Sequence, residues 1–141
     1  MSLQELYQDT ILDHSRSPRN AGPLSTATHQ ATGNNPICGD RVTVFLKSDG
    51  KKIEKVQFVA EGCAISKASA SLMSEQTAGH SSADAKKVFD IFHEMVTGKE
   101  ISPAEKKSLG KLTVFSGVGE FPARVKCATL AWHTFFEALD G

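Results

Sequence analysis

Arg41-Val42-Thr43-Val44-Phe45-Leu46-Lys47, then Ser48-Asp49-Gly50-Lys51, then Ile53 to Ala60, is the stretch whose reading decides the fold. Val42, Val44 and Leu46 alternate with Thr43, Phe45 and Lys47, the pattern of a half-buried strand. Asp49-Gly50 supplies a turn, and Val56, Phe58 and Ala60 resume the alternation on one face. The pair reads as an antiparallel hairpin whose first strand begins just after Asp40. A polar stretch from about Ser25 to Gly33 has a weaker pattern and is expected to form an edge strand.

Outside the hairpin the rhythm is helical. Ser2-Leu3-Gln4-Glu5 fits a capping box, and Leu3, Leu6, Tyr7, Thr10, Ile11 and His14 follow at helical spacing. Pro18 ends that helix, and a cationic His14 near its C-terminus is expected to favour the dipole. After Gly62-Cys63, the stripe Ala64, Ile65, Ala68, Leu72 and Met73 predicts a helix to about Ala78, stopped by Gly79. Ser66, Ser69, Ser71 and Ser74 on it read as small residues for close packing rather than a hydroxyl array. Ser81 onward starts another helix with Ala85, Val88, Phe89, Phe92 and Val96 inward, and Ser102-Pro103-Ala104-Glu105 opens a short one. Residues 110–120 read as glycine-bearing loop with an apolar Leu112-Val114-Phe115 patch. Pro122 opens the last helix, whose stripe is Cys127, Leu130, Ala131, Thr134, Phe135 and Ala138. This order predicts one α+β domain over 1–141, a small antiparallel sheet of about three strands packed against helices.

Composition excludes several classes. The 16 basic and 16 acidic residues among 141 cancel without clustering. Neither a nucleic-acid surface nor a polybasic membrane anchor is expected. No apolar run is long enough to span a bilayer, and Met1–Glu5 lacks signal-peptide character, so a cytoplasmic location with reduced thiols is expected. Three cysteines cannot all pair internally, which favours metal or redox work over a disulfide framework.

The candidate site is Cys38, Asp40, Cys63 and Cys127. Asn34-Asn35-Pro36-Ile37-Cys38-Gly39-Asp40 places a thiol and a carboxylate two apart across a glycine, so a tight turn can aim both at one point. Cys63 follows a glycine at a strand-to-helix junction, where helix N–H groups stabilise a thiolate. Cys127 lies about one turn into its helix. Three thiolates and a carboxylate suit a closed tetrahedral zinc site. Each cysteine taken alone is more often a small buried apolar residue than a ligand, and spacings of 25 and 64 residues carry little diagnostic weight. The residues by themselves leave a shared metal site and unrelated positions evenly balanced. His–Cys hydrolase chemistry has no support, and no histidine is assigned to a metal.

The same residues resemble a family. Asn35-Pro36-x-Cys38-Gly39-Asp40, Gly62-Cys63-Ala64-Ile65-Ser66 with Ala68-Ser69, and Arg124-x-Lys126-Cys127-Ala128-x-Leu130-Ala131-Trp132 resemble the three cysteine motifs of SufU/IscU-type iron–sulfur cluster assembly proteins. Asp13-His14 with Pro18-Arg19-Asn20 resembles that family's N-terminal signature. The likeness is closer to the SufU branch. The long stretch between Cys63 and Cys127 looks like the insertion marking SufU, Lys126 stands where IscU has a histidine, and Phe121 to Lys126 departs from IscU's chaperone-docking peptide.

The resemblance implies an IscU/SufU-like fold and zinc on Cys38, Asp40, Cys63 and Cys127. Cys38 is then the catalytic residue, accepting persulfide sulfur from a SufS-type cysteine desulfurase, with downstream Suf scaffold proteins as further partners. No dedicated Hsp70 docking is expected. Arg124, three residues before Cys127, is the nearest candidate for offsetting the site's negative charge, and Lys126 is a weaker one. A scaffold holding a [2Fe-2S] cluster on the same ligands is the alternative, and a purely structural zinc module is a third reading.

Overall fold

The computed structural model describes the backbone of residues 3–37 and 39–140, with side chains from Tyr7 onward within them. The capping box read at Ser2–Glu5 lies outside the described side chains, and Cys38 lies outside the described residues. Helix α1 (Leu3–Arg16) is followed by strands β1 (His29–Asn35), β2 (Asp40–Ser48) and β3 (Ile53–Glu61). Helices α2 (Ala64–Thr77), α3 (Ser82–Val96) and α4 (Pro103–Leu109), a 3₁₀ stretch (Gly110–Glu120) and α5 (Pro122–Asp140) complete the chain. The strands form one antiparallel sheet in the order β1-β2-β3, so the α+β expectation is met.

Val42, Val44 and Leu46 are fully buried on the central strand, while Thr43, Phe45 and Lys47 are half-covered. Each buried side chain contributes about 1.5–3 kcal/mol, and a one-residue slip would expose all three. That asymmetry sets the register. The hairpin loop is longer than a two-residue Asp-Gly turn: Ser48 pairs with Ile53 across a register shift. Asp49 Oδ1 accepts the backbone N–H groups of Lys51 (2.9 Å) and Lys52 (2.8 Å) and closes the loop.

The edge strand begins four residues later than expected and runs to Asn35, pairing Asn35 with Asp40. Its polar composition hid its limits; what fixes them is contact with α5. A Cβ at Gly33 would collide with Thr134 Oγ1 and lie 3.2 Å from Leu130 Cδ1, so only glycine lets strand and helix approach this closely. Helix α5 crosses β1, β2 and α2, and α2 in turn covers β3. Trp132 on α5 is fully buried against Phe89 and Phe92 of α3, with ring centroids 5.7 and 5.6 Å away. Residues 110–120, expected to be loop, form the 3₁₀ stretch, because Leu112, Val114, Phe115 and Val118 are drawn into this aromatic core.

The serines of α2 correct the sequence reading. Ser66, Ser69, Ser71 and Ser74 are fully buried, as close packing requires, yet three of the hydroxyls are also structural partners. Ser71 Oγ meets His14 Nδ1 at 2.8 Å and accepts the Arg19 N–H at 2.9 Å. Asn20 Nδ2 donates to Ser74 Oγ (3.0 Å), and Ser69 Oγ donates to the Ala128 carbonyl. From there the Asn20–Gly22 segment reaches the outer edge of β3: Phe58 N–H donates to Asn20 O (3.1 Å) and Gly22 N–H to Phe58 O (2.8 Å). The segment thereby covers part of an edge open to pairing.

His14 is likewise placed as expected near the end of α1, but it is 1% exposed rather than a solvated cation. Burial holds its pKa below the ordinary 6.5, Arg19 and Lys111 push the same way, and Glu75 and Asp13 pull against them. Because the unfolded chain binds the proton more readily, this group contributes stability above about pH 6.5 that is lost as pH falls below it. Urea unfolding of the metal-free protein at pH 7.5 and 5.0 should show that loss. The His14→Gln variant should be less stable at pH 7.5 with a flatter profile, and parallel profiles for the two proteins would contradict a neutral buried His14.

Candidate metal centre

Asp40 is the first residue of β2, and its inward position in the alternation leaves it 2% exposed. A buried carboxylate needs hydrogen-bond donors. One comes from the strand-to-helix junction: Cys63 N–H donates to Asp40 Oδ1 at 2.8 Å. The approach depends on Gly62, whose φ of +126° disfavours side chains and whose absent Cβ would strike Asp40 Oδ1 and lie 2.8 Å from its Cα.

Cys63 is the N-cap of α2. Its Sγ accepts the Ser66 N–H at 3.4 Å and lies 3.8 Å from Asp40 Oδ2. The helix N-terminus favours negative charge there, and α2 has no acidic residue in its first turn, so Asp40 supplies the anion from outside the helix. Cys127, one turn into α5, is 2% exposed, and Asn35 Nδ2 donates to its Sγ at 3.7 Å. The candidate ligand atoms of Asp40, Cys63 and Cys127 all lie within 4.8 Å of one another.

Three of the four expected ligands therefore converge from a strand start and two helix starts. The fourth, Cys38, lies outside the described residues; it follows Pro36-Ile37 in the connection between the paired Asn35 and Asp40. Arg124 is exposed and its guanidinium carbon sits 4.4 Å from the Phe121 ring centroid, a cation–π contact at the start of α5. Lys126 is exposed. His133 is exposed, its ring edge-on to Phe89 at 5.4 Å; partial burial lowers its pKa, with His93 and Lys86 adding to the effect. Asn35 is the residue that the sequence reading placed in the turn without a role. The signal for it is its opposition to Asp40, which requires the correct end of β1.

Ligand separations in a tetrahedral zinc site run roughly 3.4–3.8 Å, from Zn–S near 2.3 Å and Zn–O near 2.0–2.2 Å. The donor spread fits such a site after small adjustment, and two soft sulfurs with one hard oxygen suit zinc or iron.

Fold and site together define a class of small α+β domain, with a carboxylate and thiols gathered at one end of a three-stranded sheet. Residues 6–128 match the model of the NifU-like N-terminal domain, and the chain belongs to that family of iron–sulfur cluster assembly proteins. It is 42% identical over 137 residues to the iron–sulfur cluster assembly scaffold protein IscU of Streptococcus pyogenes serotype M1, spanning 97% of this chain and 84% of that one. It is also 42% identical over 131 residues to the zinc-dependent sulfurtransferase SufU of Bacillus subtilis strain 168, spanning 93% and 87%. The solved structure of FiSufU from Fervidobacterium islandicum AW-1 superimposes with a TM-score of 0.86 at 36% identity, covering 98% and 99% of the two chains.

Gly62→Ala tests how the centre is built. The added methyl group must displace the Asp40 carboxylate, and positive φ costs an alanine about 1–3 kcal/mol. A lower melting temperature together with weaker zinc retention in a chelator competition is expected. Unchanged retention would mean that Asp40 is not held by the Gly62 junction.

Proposed function

We propose that the protein is a zinc-dependent sulfur acceptor in iron–sulfur cluster assembly, working in the cytoplasm with a SufS-type cysteine desulfurase and passing sulfur to downstream Suf scaffold proteins. The observation that carries this reading is the convergence of Asp40, Cys63 and Cys127, contributed by three separate elements, beside the chain segment that contains Cys38. In this reading residues 1–141 act as one domain, Cys38, Asp40, Cys63 and Cys127 hold the metal, and Arg124 lies outside them as a charge-offsetting neighbour.

Zinc, when bound, keeps thiols as thiolates at neutral pH and adds no redox chemistry of its own. The transfer then belongs to Cys38. Its thiolate attacks the sulfane sulfur of the donor's cysteine persulfide, a new S–S bond forms, and the donor cysteine leaves as thiolate. Electrons balance within the exchange, so no further oxidant or reductant is required. The surroundings suit an approaching partner. Ile37 is 69% exposed, and a Cβ on Gly39 would meet nothing within 4 Å. A shallow groove of about 350 Å³, lined by Asn34, Ile37, Lys126, Leu130 and His133, opens beside the site.

The IscU-named relative is as similar as the SufU-named one, so the experiment must separate acceptor from scaffold. The departures from IscU at Lys126 and at Phe121 to Lys126 support the acceptor reading. The purified protein should carry about one zinc per chain, and Cys63→Ser or Cys127→Ser should release it and lower the melting temperature. Retention of metal and stability in both variants would sink the ligand assignment. Asp40→Ala should weaken zinc binding and strongly reduce desulfurase stimulation.

Cys38→Ser should fold normally but fail to take up sulfur. Mass spectrometry after incubation with desulfurase and cysteine should find the added sulfur on Cys38 of the parent protein. If iron and sulfide alone build a stable chromophoric [2Fe-2S] cluster and Cys38 never carries a persulfide, the protein is a scaffold instead.

A further inference from the structure

We infer that Asn35 is a positioning residue for the metal centre, its amide N–H fixing the Cys127 sulfur and offsetting its charge; this rests on the metal reading above. Along β1 the burial alternates, and Asn35 closes the strand as its one buried position, 6% exposed. An amide taken out of water is costly unless it is hydrogen-bonded, so an apolar residue would be the cheaper occupant of a purely structural position. The partner of this amide is the Cys127 sulfur, 3.7 Å from Nδ2.

The register explains how the two meet. Asn35 pairs directly with Asp40 across β1 and β2, and directly opposed residues on antiparallel strands project from the same face. One strand end thus contributes the anionic oxygen of Asp40 and the other a neutral N–H donor, both directed to Cys127 near the start of α5. The sulfurs of Cys63 and Cys127 each receive an N–H, from the Ser66 backbone and from Asn35 respectively. A sulfur held this way is oriented and less electron-rich, which suits a ligand that stays in place while a third thiolate does the chemistry. Partners of this kind around metal ligands change metal affinity by about 10- to 100-fold when removed.

Asn35→Ala and Asn35→Leu both delete the donor, and leucine keeps the branching and approximate size of asparagine, which preserves the test if alanine leaves a damaging cavity. Cobalt(II) loading and zinc competition with a chromophoric chelator are the measurements, with the melting temperature of the metal-free protein as the check on folding. The sulfur-to-cobalt charge-transfer band should move to longer wavelength in both variants, and zinc affinity should fall about tenfold or more. A purely structural Asn35 would lower the metal-free melting temperature and leave the band where it is, which would overturn the inference while the metal reading stands. A parent protein that takes up no cobalt, or one whose sulfur-to-cobalt bands keep their full intensity in Cys63→Ser and Cys127→Ser, would overturn the metal reading and the inference with it.

Discussion

The buried carboxylate of Asp40 is the constraint to which the rest of the centre conforms. A carboxylate at 2% exposure is tolerable only with a donor and a favourable field, and the start of α2 supplies both. To reach it, the chain must pass from β3 into α2 within contact distance of the Asp40 backbone, which leaves no room for a side chain at residue 62. The same passage makes Cys63 the helix cap and sets its sulfur beside the carboxylate. One buried charge thus dictates a glycine, a helix start and the place of a thiol.

Among the described residues, the contacts to the site's sulfurs and carboxylate include three N–H donors. Ser66 N–H serves Cys63, Asn35 serves Cys127, and Cys63 N–H serves Asp40. Arg124, the cation that the helix spacing suggested, lies over the Phe121 ring at the start of α5. Neutral N–H donors orient the two sulfurs and make them less electron-rich without bringing a cation to the site.

Helix α2 is the platform for this arrangement, and its serines serve two purposes. Small side chains allow α1 and α5 to pack closely, and the hydroxyls then capture His14, the Arg19 N–H and Asn20. The Asp13-His14 and Pro18-Arg19-Asn20 motifs are thereby explained as a polar seam joining α1 to α2 and to the edge of β3. The Arg19–Asp13 ion pair within it (2.8 Å) is solvated and adds little energy. Its value is in shaping the segment.

The sequence by itself determined the central hairpin, the helices with their apolar stripes, and the identity of Asp40, Cys63 and Cys127 as candidate ligands. Alternation, caps and turn residues are local signals, and each acts within a few neighbouring residues. The motif likeness also named the family correctly. Four features were not legible in this way: the span of β1, the 3₁₀ form of residues 110–120, the neutral burial of His14 and the work of the serine hydroxyls. Each depends on a partner far along the chain: Thr134 and Leu130 against Gly33, the aromatic core against Leu112 and Phe115, Ser71 against His14. Asn35 shows the same limit most clearly. Only the pairing of β1 with β2 sets it opposite Asp40, and only the crossing of α5 over that strand end brings the Cys127 sulfur to its amide, because hydrogen bonds of a few ångströms are decided by tertiary packing.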